Sequence, residues 1–157
     1  MKARQTIYHP NGKGTGSALR LELRPADGDI EGYIEFRIAP QLGLTTVHAF
    51  DWPNAISARL YMTDLAHVMN VLRGCEESIC DGKGLYCLTI SYSMIVKFEH
   101  RIEPVPGYLL EFFKRPHDGE ERRVRFFFSR TEAVALSLLI EQSLVYVVFG
   151  DPLATNW

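Results

Sequence analysis

Val124-Arg125-Phe126-Phe127-Phe128 runs directly into Ser129-Arg130-Thr131-Glu132, and this junction decides the fold. Four of the first five residues, Val124 and the three phenylalanines, are β-formers, and residues of this kind in a short run read as a strand. Ser129 and Glu132 have the spacing of a capping box, in which each side chain satisfies the other residue's free backbone N–H. A helix is therefore expected from about Arg130 to Val147. The same junction occurs earlier: Ile56-Ser57-Ala58-Arg59-Leu60-Tyr61-Met62 leads into Thr63-Asp64. The chain thus reads as strands followed by one helix, twice.

Working outward, Gln5–Tyr8 reads as a first short strand. Leu19, Leu21 and Leu23 alternate with Arg20, Glu22 and Arg24, and Ile34, Phe36 and Ile38 alternate with Tyr33, Glu35 and Arg37. Period-two alternation puts one face in the core and one in water. Ile56, Ala58, Leu60 and Met62 form the next inward row. In the second half, strands are expected at about Leu85–Ser91, Met94–Ile102, Tyr108–Lys114 and Arg122–Phe128. The expected fold is α+β: two antiparallel four-stranded sheets, each followed by a helix, ββββα twice. At 157 residues the chain fits one domain, with an internal pseudo-repeat of about 1–74 and 75–150 and a tail at 151–157. A domain of this length buries roughly 70% of its unfolded surface without staples.

The two helices differ. Leu65, Val68, Met69 and Leu72 line one face of the first, with Gly74 just past its end, the usual place for a C-terminal glycine. The second is apolar over most of its circumference, interrupted only by Ser137, Glu141, Gln142 and Ser143. A helix with so little polar face is covered on several sides. It is expected to pack between the sheets or against another subunit. Leu136, Leu139, Ile140, Leu144 and Val147 are the candidate interface residues of a homo-oligomer, a dimer or tetramer.

Composition narrows the function. Net charge is −2, from 17 basic and 19 acidic residues, so bulk charge does not suit coating of duplex nucleic acid. Cys75, Cys80 and Cys87 form no CxxC pair and have no nearby His, as a zinc site would need. They read as small, partly buried thiols in a reducing compartment. Residues Met1 to Gln5 contain no apolar signal core, and the longest unbroken apolar run, Leu144–Phe149, is too short to span a bilayer. A cytoplasmic location and no membrane partner are expected. Gly12-Lys13-Gly14-Thr15-Gly16-Ser17 lacks the closing Gly-Lys-Ser/Thr of a phosphate loop and precedes a strand. His9, His48, His67, His100 and His117 are scattered, His67 reading as a surface residue. No catalytic residue, metal site or cofactor is expected, and the chain does not read as an enzyme.

Single-stranded nucleic acid is held by cations along its phosphates and aromatic rings against its bases. The outward rows carry both: Arg20 and Arg24, Tyr33 and Arg37, Arg59 and Tyr61. If their strands are neighbours, all six share one face. Lys13 in the glycine-rich turn adds a cation, and the turn's N–H groups offer an anion nest. Lys97 and Arg101, beside His100, are the second-half counterpart. Glu22 and Glu35 weaken the face. Outward Arg alternating with Leu is also what any half-solvated strand shows, so a protein-interaction or assembly domain without nucleic-acid affinity is the alternative. Trp52 offers a stacking platform, but is expected in the core ahead of that, as Trp is usually well buried. Arg122, Arg123 and Arg125, beside Glu120 and Glu121, read as a charge-balanced edge.

Several short segments, in order, resemble the Whirly family of single-stranded-DNA-binding proteins, plant transcription and organelle-genome factors related in fold to the positive-cofactor-four coactivator. Gly12-Lys13-Gly14 followed by Ser17-Ala18-Leu19 is similar to the family's Lys-Gly-Lys-Ala-Ala-Leu, though Asn11 stands where its first Lys would be and Thr15-Gly16 lengthen the segment. Arg24-Pro25 resembles its Arg-Pro, Ile38-Ala39-Pro40 with Gly43 its Phe-Ala-Pro and Gly, and Phe50-Asp51-Trp52 its Tyr-Asp-Trp. Thr63-Asp64-Leu65 resembles its Thr-Glu-Ile, and Glu77-Ser78 its Glu-Ser. The resemblance implies four subunits packed through their helices, single strands lying across the sheets, and neither cofactor nor catalysis. Single-stranded DNA is then the expected partner ahead of RNA, in transcription or genome maintenance.

Overall fold

The structure, a computed structural model, describes residues 3–44, 49–81, 92–116 and 119–151. Strands β1 (Arg4–His9), β2 (Ser17–Arg24), β3 (Tyr33–Pro40) and β4 (Ile56–Leu60) form one antiparallel sheet in sequential order. A 3-10 turn, Trp52–Asn54, precedes β4, and helix α1 (Met62–Leu72) follows it. Strands β5 (Ser78–Asp81), β6 (Tyr92–Arg101), β7 (Gly107–Pro116) and β8 (Arg122–Ser129) form the second antiparallel sheet, and helix α2 (Arg130–Phe149) follows. The expected doubled strand-strand-strand-strand-helix order is the observed one. The strand expected at 85–91 lies outside the described residues. The second sheet instead opens with Ser78–Asp81, a four-residue stretch whose apolar alternation is too short to announce a strand.

Both helix starts follow from their acids. The Ser129 hydroxyl accepts from the Glu132 N–H (3.1 Å), and the Glu132 carboxylate accepts from the Ser129 N–H (3.0 Å). At α1 the Asp64 carboxylate accepts the Tyr61 N–H (2.9 Å), so the helix begins one residue before Thr63. Gly74, at φ +75°, takes the left-handed conformation that closes α1 at little steric cost.

The inward rows of both sheets and one face of each helix make one continuous core. Leu19, Leu21, Ile34, Phe36, Ile38, Ile56, Ala58 and Leu60 come from the first sheet, and Met94, Val96, Phe98, Leu110, Phe112, Val124, Phe126 and Phe128 from the second. The helices bridge the halves: α1 packs on β5 and β6 as well as β4, and α2 packs on β2 as well as β7 and β8. His9 of β1 clasps the start of α2, its Nε2 lying 2.7 Å from the Glu132 carboxylate and its ring stacked on Phe126 at 4.4 Å. The far end of α2 is tied to the β2–β3 turn, where the Ala26 N–H donates to the Tyr146 carbonyl (3.0 Å).

This packing corrects the reading of α2. Leu136, Ile140 and Val147 lie in the chain's own core with Ala133 and Ser143, and Leu139 and Leu144 pack half-buried against it. The first three are therefore closed to another subunit. The apolar surface left outside is a different stripe: Val134, Leu138, Val145, Val148 and Phe149. With 20 residues and a mean hydropathy of 1.6 over an 18-residue window, α2 is long and apolar enough to cross a bilayer, which the count of unbroken apolar residues overlooked. In this fold its opposite face is part of the core.

Candidate nucleic-acid interface

The strand register places the predicted residues. Arg20 faces Arg37, Glu22 faces Glu35, and Arg24 faces Tyr33 across β2 and β3. Glu35 faces Arg59 and Arg37 faces Ser57 across β3 and β4. Arg4 faces Glu22, Thr6 faces Arg20 and Tyr8 faces Ala18 across β1 and β2. The outer face is thus a ladder of cross-strand rows, about 7 Å apart along the strands. From one end the rows are Tyr8/Ala18/Ala39, then Thr6/Arg20/Arg37/Ser57, then Arg4/Glu22/Glu35/Arg59, then Arg24/Tyr33 with Tyr61 just beyond β4. Six of the predicted residues, Arg20, Arg24, Tyr33, Arg37, Arg59 and Tyr61, share this face.

The aromatic rings are interleaved with the cations. Tyr33 and Tyr61 meet edge to face with centroids 5.5 Å apart, and the Arg59 guanidinium lies 4.9 Å from the Tyr33 centroid. Trp52 is not in the core. It is half-buried on the outer face, carried there by the 3-10 turn, with the Arg20 guanidinium 4.0 Å from its ring centroid. Arg37 donates to the Trp52 carbonyl (2.8 Å). The Nε donors of both Arg20 and Arg37 are buried without a hydrogen-bond partner. Phe50 packs on Tyr8 at 5.5 Å and extends the aromatic edge. Phe50, Tyr8 and Arg4 escaped the sequence reading, and Trp52, expected in the core ahead of a stacking platform, takes the platform position. The alternation of Arg4, Thr6 and Tyr8 along β1 was available as a signal. Nothing local marks Trp52, whose place depends on how the segment before β4 folds back over β2 and β3.

Of Arg4, Arg20, Arg24, Arg37 and Arg59, only Arg24 is ion-paired among the described residues, with Glu22 at 3.0 Å. The outer face of the second sheet is the opposite case. Glu99 pairs with both Lys97 (3.3 Å) and Arg101, Glu111 with Arg125 (2.6 Å) and Arg123 (3.8 Å), and Glu121 with Arg115 (3.1 Å). Burial pushes the Glu99 carboxyl up, but hydrogen bonds from Arg101 and Lys97 outweigh it and hold the group below its usual range. Lys97 therefore lies on the other sheet, inside a neutralised network. The edge at Arg122–Arg125 is charge-balanced mainly by Glu111 of the neighbouring strand rather than by the adjacent Glu120 and Glu121. Phe113 lies between the Arg115 and Arg123 guanidiniums (5.2 and 4.6 Å).

The glycine-rich turn offers no open anion nest. The Asn11 side chain accepts the N–H groups of Lys13 (3.1 Å) and Thr15 (2.9 Å). The Gln41 side chain accepts those of Asn11 (2.9 Å) and Gly16 (3.1 Å). With its amides turned inward, the turn presents the exposed Lys13 side chain, at the Tyr8/Ala18/Ala39 end of the ladder. Cys75 and Cys80 are exposed rather than partly buried, and Cys87 lies outside the described residues.

No family model matches the sequence, and no curated protein matches it. Solved structures do match the fold. WHY1 from Arabidopsis thaliana superposes with a TM-score of 0.74 at 17% identity, over 95% of this chain and 86% of that one. MRP1/MRP2 of a trypanosome superposes with a TM-score of 0.65 at 21% identity, over 99% of this chain and 100% of that one. A guide-RNA-binding protein complex bound to a guide RNA matches with a TM-score of 0.62 at 19% identity, over 93% and 92% of the two chains. With two four-stranded antiparallel sheets, each followed by a helix, this chain has the Whirly fold.

Proposed function

We propose that the protein binds single-stranded nucleic acid, without catalysis, on the outer face of its first sheet. The carrying observation is the ladder of arginines interleaved with Trp52, Tyr33 and Tyr61, on which only Arg24 is ion-paired among the described residues. Phosphates pair with the arginines of the face, of which only Arg24 has a carboxylate partner among the described residues, and bases stack on the rings. Each stacked base contributes roughly 1–3 kcal/mol, so two or three rings with several cations suffice for useful affinity at a net charge of −2. The guide-RNA complex among the structural matches supports nucleic acid as the ligand class. Single-stranded DNA is placed ahead of RNA, with a role in transcription or genome maintenance. The working form is a homo-oligomer, because the stripe from Val134 to Phe149 leaves apolar surface uncovered.

The Glu22/Glu35 pair in the middle of the face favours the second reading, an assembly domain of the same fold without nucleic-acid affinity. Fluorescence anisotropy with labelled oligo-dT and oligo-rU at low salt separates the two. Binding that weakens with salt supports the first. No binding of either at protein concentrations on the order of 10 µM, where even non-specific contacts register, leaves the second.

A further inference from the structure

Gln41 follows β3 directly and is only 7% exposed. A buried carboxamide carries two donors and an acceptor oxygen, and leaving them empty is costly. Here they are all used. Oε1 accepts from the Asn11 N–H and the Gly16 N–H, and Nε2 donates to the carbonyls of Asn11 (3.3 Å) and Gly43 (3.1 Å). The Gln41 main chain donates to the Gly16 carbonyl (2.9 Å) and bridges to Phe50. One residue thus ties the 11–16 turn to the chain after β3 and to the segment that delivers Trp52. The fit leaves no room at Gly16, where a Cβ would lie 2.6 Å from Gln41 Oε1 and closer still to the His9 carbonyl.

We infer that Gln41 is a positioning residue for nucleic-acid binding: it holds the Lys13 turn against the end of the arginine–aromatic ladder, so that the Lys13 ammonium meets the phosphate beyond the Arg20/Arg37 row. Gln41 touches no ligand itself and acts through Lys13. The role rests on the reading of the outer face proposed above.

The test is a salt series of oligo-dT binding by anisotropy, with amide hydrogen exchange at Asn11 and Gly16. For single strands the slope of log K against log salt is about −0.7 per phosphate contact. Lys13→Ala is therefore expected to flatten the slope by about 0.7 and to weaken binding about fivefold at 0.1 M salt. Gln41→Leu, which keeps the bulk and removes the hydrogen bonds, is expected to speed exchange at both amides and flatten the slope equally. Adding Lys13→Ala to it then changes nothing further, whereas adding Arg20→Ala does. A folded Gln41→Leu protein with the wild-type slope, or with a loss that adds in full to that of Lys13→Ala, overturns the role. Should Gln41→Leu not fold, Asn11→Ala, in the exposed turn, decides by the same slope. A wild-type protein that binds no oligo-dT overturns the nucleic-acid reading and this role together. A binding wild type with an unchanged slope in the variants overturns only the role of Gln41 or its turn.

Discussion

The Arg20 guanidinium lies over the Trp52 indole, 4.0 Å from the ring centroid, while the cross-strand neighbour Arg37 holds the Trp52 main-chain carbonyl. Two cations side by side on adjacent strands would repel each other, and here an aromatic face rather than a carboxylate stabilises one of them. Neither guanidinium has a carboxylate partner among the described residues.

Trp52→Ala is expected to weaken oligo-dT binding by one stacked ring, about 1–3 kcal/mol or roughly fivefold to 150-fold. Its effect on stability is expected to be smaller, about 1 kcal/mol, the size of a partly exposed cation–π contact. Anisotropy and thermal melting measured together check it. Unchanged affinity with a lowered melting temperature would mean that Trp52 is only structural.

Arg37→Ala and Lys97→Ala separate the two sheets. Arg37 has no acidic partner among the described ion pairs, and its removal is expected to flatten the single-strand salt slope by about 0.7. Lys97 is held by Glu99 at 3.3 Å on the neutralised face, and its removal is expected to leave the slope unchanged. Equal effects from both would spread the binding site over the two sheets.

Acid destabilises the clasp between β1 and α2. Burial pushes the Glu132 carboxyl up, but the Ser129 N–H, the His9 ring and the Ser129 hydroxyl outweigh it, so the group titrates below its ordinary value of 4.5. A carboxyl whose folded pKa is depressed adds stability above its unfolded pKa, and that stability is lost as pH falls through the folded value. Wild-type stability, from urea melts at stepped pH, is expected to fall from about pH 5 downward. Glu132→Gln is expected to be less stable near neutrality and to show a shallower fall. Parallel curves for the two proteins would remove Glu132 from the acid response.

The two faces of α2 respond differently to charge. Leu138 is 55% exposed and Val145 58%, whereas Ile140 is fully buried. Leu138→Glu with Val145→Glu is expected to leave the fold intact and convert an oligomer to a monomer, read by size exclusion with light scattering. Ile140→Ala is expected to cost about 2–5 kcal/mol, measured by denaturant melts, whatever the oligomeric state. A wild type that runs as a monomer at micromolar concentration removes the oligomer from the proposal.

The sequence by itself determined every strand but β5 among those described, the helix starts to within a residue and the faces of the first sheet. Alternation at Leu19–Arg24 and Tyr33–Ile38 records which side of each strand is wet, because side chains on a strand switch faces at every residue. Ser129 and Glu132 announce a helix because the cap is local chemistry. The outward arginines and tyrosines could therefore be named before their strands were known to be neighbours. Tertiary structure decided the rest. Hydropathy could not divide α2 into core and surface, because Leu136 and Leu138 are the same residue, and only the approach of both sheets buries one and exposes the other. The turn's amides looked open until Asn11 and a glutamine 30 positions away took them. Lys97 is neutralised locally, by Glu99 two residues along the same strand, whereas Trp52 reached the outer face through contacts with Arg20 and Arg37, far from it in the chain. Such contacts depend on which strands pair and in what register, and no local pattern encodes that.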